Sequence, residues 1–159
     1  MSCITGVSCI KYLFLYIKNL QKSFIERTEG LISLSTGNAL IVEDQIITAL
    51  DLKLTLKNSG YSNITIVSKG EKAMDFIKTK ALSVALLDIK LADDISGIDV
   101  AKLLQQKSIP FIFISAFSNP ENFKLAKKLK PAGIVKKPFE EETITKLLNK
   151  LNSSHSKSF

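Results

Sequence analysis

The chain has 159 residues, 45% of them hydrophobic, and a net charge of +7. That length suits one domain with a sizeable core and a short extension, and leaves no room for a second domain of ordinary size. The excess charge is almost all lysine, Arg27 being the only arginine, and no helix-turn-helix or RNA-binding motif accompanies it, so a solvated lysine-rich surface is expected rather than a nucleic-acid interface.

Residues 1–37 read as an N-terminal extension. The apolar run Ile10 to Ile17 is broken by Lys11 and closed by Lys18, far short of the ~20 residues that span a bilayer. It also lacks the basic start and cleavage site of a signal peptide. Ile10, Leu13, Ile17, Leu20, Phe24 and Leu31 follow a 3-4 spacing interrupted by Arg27, which predicts an amphipathic helix. Its candidate places are its own domain, a second copy of the chain, giving a homodimer, or a membrane surface, in that order. Cys3 and Cys9 lack the spacing of a metal or redox motif and permit a reducing compartment, so a cytoplasmic location is expected.

From residue 38 to 151 apolar runs alternate with stretches of helical period. The runs are Ala39 to Val42, Asn63 to Val67, Val84 to Leu87, Phe111 to Ile114 and Gly133 to Val135. Continuous apolarity, rather than alternation, is what a strand covered by helices on both faces requires. The helical stretches are Ile46 to Leu56, Glu71 to Ile77, Ile98 to Leu104, Asn122 to Leu129 and Ile144 to Leu151. Five alternations predict a doubly wound α/β domain built on a five-stranded parallel sheet. Residues 152–159 form a Ser-rich polar tail expected to be disordered, with His155 solvated in it.

Four polar sites each follow an apolar run: Glu43-Asp44, Asp88, Ser115 and Lys137-Pro138. Ligands of such sheets sit beyond the carboxyl ends of the strands, so all four sites gather at one edge. Each residue also has an ordinary alternative. Glu43 and Asp44 can make an acidic strand-to-helix turn, Asp88 can begin a turn, Ser115 can cap a loop, and Lys137 can be a solvated lysine.

The ordered set Glu43-Asp44, Asp88, Ser115-Ala116 and Lys137-Pro138-Phe139 resembles the receiver domain of two-component response regulators. The resemblance implies a flavodoxin-like sheet of strand order 2-1-3-4-5, with helices on both faces. Asp88 would then be the phosphoacceptor nucleophile, and Glu43, Asp44, Asp88 and the backbone carbonyl of Lys90 would hold Mg²⁺. Lys137 would pair with the phosphoryl oxygens, Ser115 would hydrogen-bond one of them, and the bond to Pro138 is usually cis in this family.

Two departures stand out. The loop from Ile89 to Gly97 is one residue longer than the commonest form and lacks its proline, and Asp93 and Asp94 are expected to be solvated there, with Ser96 capping the next helix. Ile134 occupies the place of the usual aromatic switch residue, so that Ser115 and Ile134 form an altered switch pair. The chain is expected to act as a stand-alone receiver. Phosphorylated by a histidine kinase or phosphotransfer protein, it would bind a downstream protein, catalysing only its own phosphoryl transfer and dephosphorylation. Lys124, Lys127, Lys128 and Lys130 offer that partner a basic docking surface. A receiver-like binding module that is never phosphorylated is the alternative. An aspartyl-nucleophile phosphatase is disfavoured, because the acid it needs two residues after the nucleophile is replaced by Lys90.

Overall fold

The computed structural model describes residues 37–116 and 119–155. The amphipathic segment, both cysteines and residues 156–159 lie outside the described residues. Five strands, β1 (Asn38–Val42), β2 (Asn63–Val67), β3 (Val84–Leu87), β4 (Phe111–Ser115) and β5 (Gly133–Lys136), alternate with five helices. The helices are α1 (Ile46–Asn58), α2 (Gly70–Thr79), α3 (Gly97–Gln106), α4 (Pro120–Lys128) and α5 (Glu141–His155). All neighbouring strands are parallel, in the order β2-β1-β3-β4-β5. The chain therefore runs outward from β1 to β2 and returns past β1 to β3, so the order reverses between β1 and β3.

Side chains of a strand alternate between faces, and the core divides accordingly. Leu40, Val42, Leu87, Phe111 and Phe113 pack with Ala73, Ile77, Val100, Leu104 and Ala126 of α2, α3 and α4. Ala39, Ile41, Leu86, Ile112 and Ile114 pack on the other face with Leu52 and Leu56 of α1 and Ile144 and Leu148 of α5. Burial on both faces explains why the runs are apolar throughout. Each fully buried Leu or Ile contributes roughly 1.5–3 kcal/mol, so truncating a residue such as Leu104 to Ala would cost about 2–5 kcal/mol.

Helix starts are fixed by local polar chemistry. Ser96 Oγ accepts from the Asp99 amide, and the Asp99 carboxylate accepts from the Ser96 amide, a reciprocal pair that begins α3. Asn119 Oδ1 accepts from the Glu121 and Asn122 amides, with Pro120 in the first turn of α4. The last helix runs four residues beyond Leu151, so Asn152 to His155 belong to α5 and not to a disordered tail. Tertiary contact holds this extra turn: the Tyr61 hydroxyl, on a buried residue, donates to Asn152 Oδ1 at 3.3 Å. No helix among the described residues is long and apolar enough to cross a membrane.

Candidate functional site

The sheet register brings the polar sites together. Val42 pairs with Leu87, so Glu43 and Asp88 leave the sheet side by side at the reversal point. Ser115 at the end of β4 pairs with Lys136 on the neighbouring β5, and Lys137 follows directly. Backbone bonds continue the ladders through these residues: Glu43 N–H donates to Val67 O (3.1 Å), Asp88 N–H to Val42 O (2.9 Å) and Lys137 N–H to Ser115 O (2.9 Å). Glu43, Asp88 and Lys137 thus each occupy the first position beyond a strand, held there by these ladder bonds. Gly97 closes it from below, because a Cβ there would overlap the carbonyl oxygen of Asp88.

Lys137 is the centre of the arrangement. Its Nζ donates to Glu43 Oε2 and to Asp88 Oδ2, both at 2.6 Å. The remaining oxygens take backbone donors, Glu43 Oε1 from the Gln45 amide (3.2 Å) and Asp88 Oδ1 from the Lys90 amide (3.1 Å). Asp44 is exposed, yet Glu43, Asp44 and Asp88 each bring a carboxylate oxygen within 4.8 Å of the others, close enough to share one metal ion. Burial pushes the Glu43 carboxyl above the ordinary carboxylate range, despite the opposing pull of Lys137. Burial also disfavours the Lys137 ammonium, but its hydrogen bonds to Asp88 and Glu43 outweigh this and hold its pKa above the ordinary lysine value. With all three acids ionised, three carboxylates face one ammonium, leaving two negative charges. A hard divalent cation with oxygen ligands matches that remainder in charge and chemistry.

The other expected residues fall around this centre. Ser115 is buried at the end of β4, and the Lys137–Pro138 bond is cis. Lys90 is exposed two residues after Asp88. Ile134 lies half-buried on β5 and packs against the core beneath α2, α3 and α4. Lys124, Lys127, Lys128 and Lys130 are exposed on and after α4, and Lys127 Nζ lies 4.4 Å from the centre of the Phe123 ring.

Three features were not anticipated. Glu43, assigned above to metal alone, is also an ion-pair partner of Lys137, 94 positions away. Asp93 is not simply solvated: it is half-buried, and its Oδ2 accepts from the Glu71 amide at the start of α2 (3.2 Å). Finally, α1 is apolar on both sides. Ala49, Leu52 and Leu56 are buried, whereas Ile46, Ile47, Leu50 and Leu54 are 54–74% exposed. The signal for this stripe was legible as an apolar repeat at 46/47, 50 and 54, offset from the core repeat at 49, 52 and 56.

Comparison with known proteins agrees with this geometry. The family model of the response regulator receiver domain matches residues 39–149. The phyllosphere-induced regulator PhyR of Methylorubrum extorquens is 32% identical over 112 residues, covering 69% of this chain and 41% of that protein. The transcriptional regulatory protein PdtaR of Mycobacterium tuberculosis is 27% identical over 63% of this chain and 49% of its own length. This chain thus spans less than half of either relative. Among solved structures, the signal receiver domain of a modulated diguanylate cyclase from Desulfovibrio desulfuricans superposes with a TM-score of 0.70 at 27% identity, covering 77% of this chain and 98% of that one. Sheet order, clustered acids, central lysine and the match over residues 39–149 lead to one conclusion: the chain belongs to the response regulator receiver domain family of two-component signalling.

Proposed function

We propose that this chain is a phosphoacceptor switch that takes a phosphoryl group on Asp88 from a phosphohistidine of a histidine kinase or phosphotransfer protein. The observation that carries this reading is the position of Asp88. It stands at the sheet reversal, with one oxygen 2.6 Å from an ammonium and a carboxylate oxygen within 4.8 Å of those of Glu43 and Asp44. In the reaction an Asp88 oxygen attacks phosphorus, the phosphorus–nitrogen bond of the donor breaks, and the electron pair returns to the donor imidazole. Mg²⁺, held by Glu43, Asp44, Asp88 and the Lys90 carbonyl, would neutralise the phosphoryl oxygens. Lys137 supplies further positive charge to those oxygens, and the Ser115 hydroxyl donates to one of them. The chain catalyses its own phosphorylation and dephosphorylation and acts on no other substrate.

The exposed stripe Ile46, Ile47, Leu50 and Leu54 begins two residues beyond Asp44 and supports docking of the phosphodonor on α1, since a donor that reaches Asp88 must lie over this edge. The test uses two donors. A small acyl phosphate with Mg²⁺ is expected to add one phosphoryl group by intact-mass measurement, and Asp88→Asn to abolish it. Leu50→Glu should leave that reaction unchanged and slow transfer from a phosphohistidine protein. Unaltered labelling of Asp88→Asn would refute the assignment.

A further inference from the structure

We propose that Asp93 is a positioning residue for the phosphoacceptor site: it fastens the loop that carries Lys90 to the first turn of α2, so that loading the site and ordering that turn are one coupled event. The inference rests on the function proposed above and adds to it a residue and a route.

The first amides of a helix have no partner within the helix and need an external acceptor. Helices α3 and α4 use their own residues, Ser96 and Asn119. Helix α2 does not, because the residue before it, Lys69, makes no side-chain cap. The acceptor comes from 22 positions away, where Asp93 Oδ2 takes the Glu71 amide. Ile95 adds a second anchor: a Cβ on Gly70 would overlap the Ile95 carbonyl oxygen and lie 2.7 Å from the Ile95 Cβ, so only glycine lets the loop and the helix start approach this closely. Gly70 at this position and the loop lengthened before Gly97 thus work together.

The same loop is tied to the pocket at its beginning and to α3 at its end. Lys90 N–H donates to Asp88 Oδ1, Gly97 N–H donates to Ile89 O at 3.0 Å, and Leu91 is buried between these ties. A loop held at both ends and pinned in the middle cannot move at Lys90 without disturbing the contact at Asp93. Coupling is reciprocal: the factor by which the cap tightens the pocket is the factor by which a loaded pocket tightens the cap.

The experiment uses the full chain and two measurements, Mg²⁺ affinity by calorimetry and hydrogen exchange at the Glu71 amide with and without Mg²⁺ and beryllofluoride. In the wild type, loading should slow exchange at Glu71. Asp93→Ala should abolish that slowing and weaken Mg²⁺ binding by roughly fivefold or more, the lower end of couplings between sites. Asp93→Asn, which retains an acceptor oxygen, should restore most of both. Glu71→Pro removes the donor from the opposite side and should weaken Mg²⁺ binding as much as Asp93→Ala, the double variant binding no more weakly than either single one. If Asp93→Ala cannot be obtained folded, Glu71→Pro alone decides. Wild-type Mg²⁺ affinity in Asp93→Ala or Glu71→Pro, or slowing at the Glu71 amide that survives Asp93→Ala, would overturn the proposal while leaving the phosphoacceptor reading intact. A wild type that binds no Mg²⁺ and accepts no phosphoryl group would overturn both.

Discussion

The carboxylates of this domain fall into two sets that the fold treats in opposite ways. Asp93 and Asp99 stand at helix starts, surrounded by donors. Burial works against the Asp93 anion, but the amides of Gly70, Glu71 and Asp93 itself hold its carboxyl below the ordinary range. Lys102 and then Ser96 do the same for Asp99. Glu43, Asp44 and Asp88 instead crowd around one ammonium, and burial drives Glu43 upward. The first set stabilises the fold as anions, whereas the second stores repulsion that a cation would relieve. At the helix starts the acids are given amides; in the pocket at the sheet reversal they are given one another.

Lys137→Met should test this contrast most severely. It leaves two buried carboxylates without their shared cation and should cost about 3 kcal/mol near neutral pH, read from urea unfolding, with part of the loss recovered in acid as Glu43 takes a proton. A stability equal to wild type would show that the pocket stores no repulsion. Next in size, Asp44→Asn should weaken Mg²⁺ binding at least roughly tenfold, since residues one shell further out are commonly worth that much, while slightly raising the melting temperature of the metal-free protein. Unchanged metal affinity would remove Asp44 from the site.

At the helix starts the sign reverses. Asp99→Ala should lower stability by about 1 kcal/mol through loss of the reciprocal cap. The pH dependence sharpens the same point. The folded-state pKa values of Asp93 and Asp99 lie below the unfolded value of about 3.9, so their stabilisation is complete above that pH and disappears as pH falls through the folded values. Glu43 has a raised folded value, so its contribution is greatest below its unfolded value of about 4.3 and is lost as pH rises through the folded one. Asp99→Asn should therefore flatten the acid side of the stability profile, and Glu43→Gln the side above it. The smallest effect is expected at Ile134, which carries no charge and belongs to neither set. Ile134→Ala should leave phosphorylation nearly intact by intact-mass measurement, whereas Ser115→Ala should uncouple phosphorylation from partner binding. Strong repacking of Ile134 on loading, seen in methyl chemical shifts, would reverse that ranking.

Much of this architecture is readable without coordinates because burial on both faces leaves an unbroken apolar run. The runs Asn63–Val67 and Val84–Leu87 coincide with β2 and β3, and the other three strands differ by one residue at an end. The polar residues at the strand ends were legible for the same reason, since each interrupts such a run. Helix ends were less so. Asn152 and Ser153 look like a tail until Tyr61 and the Asn149 carbonyl are brought to them. The Asp93–Glu71 bond and the Glu43–Lys137 pair join residues 22 and 94 positions apart, and no local pattern encodes such distances.

The two-sided apolar character of α1 has a colloidal consequence. Four large aliphatic side chains in contact with water attract any similar surface, including those of other copies. The chain's net charge of +7 opposes that attraction at long range. Salt screens the opposition but not the attraction, the Debye length shrinking from ~30 Å at 0.01 M to ~10 Å at 0.1 M. Light scattering should therefore report weak association that grows, rather than dissolves, as ionic strength is raised.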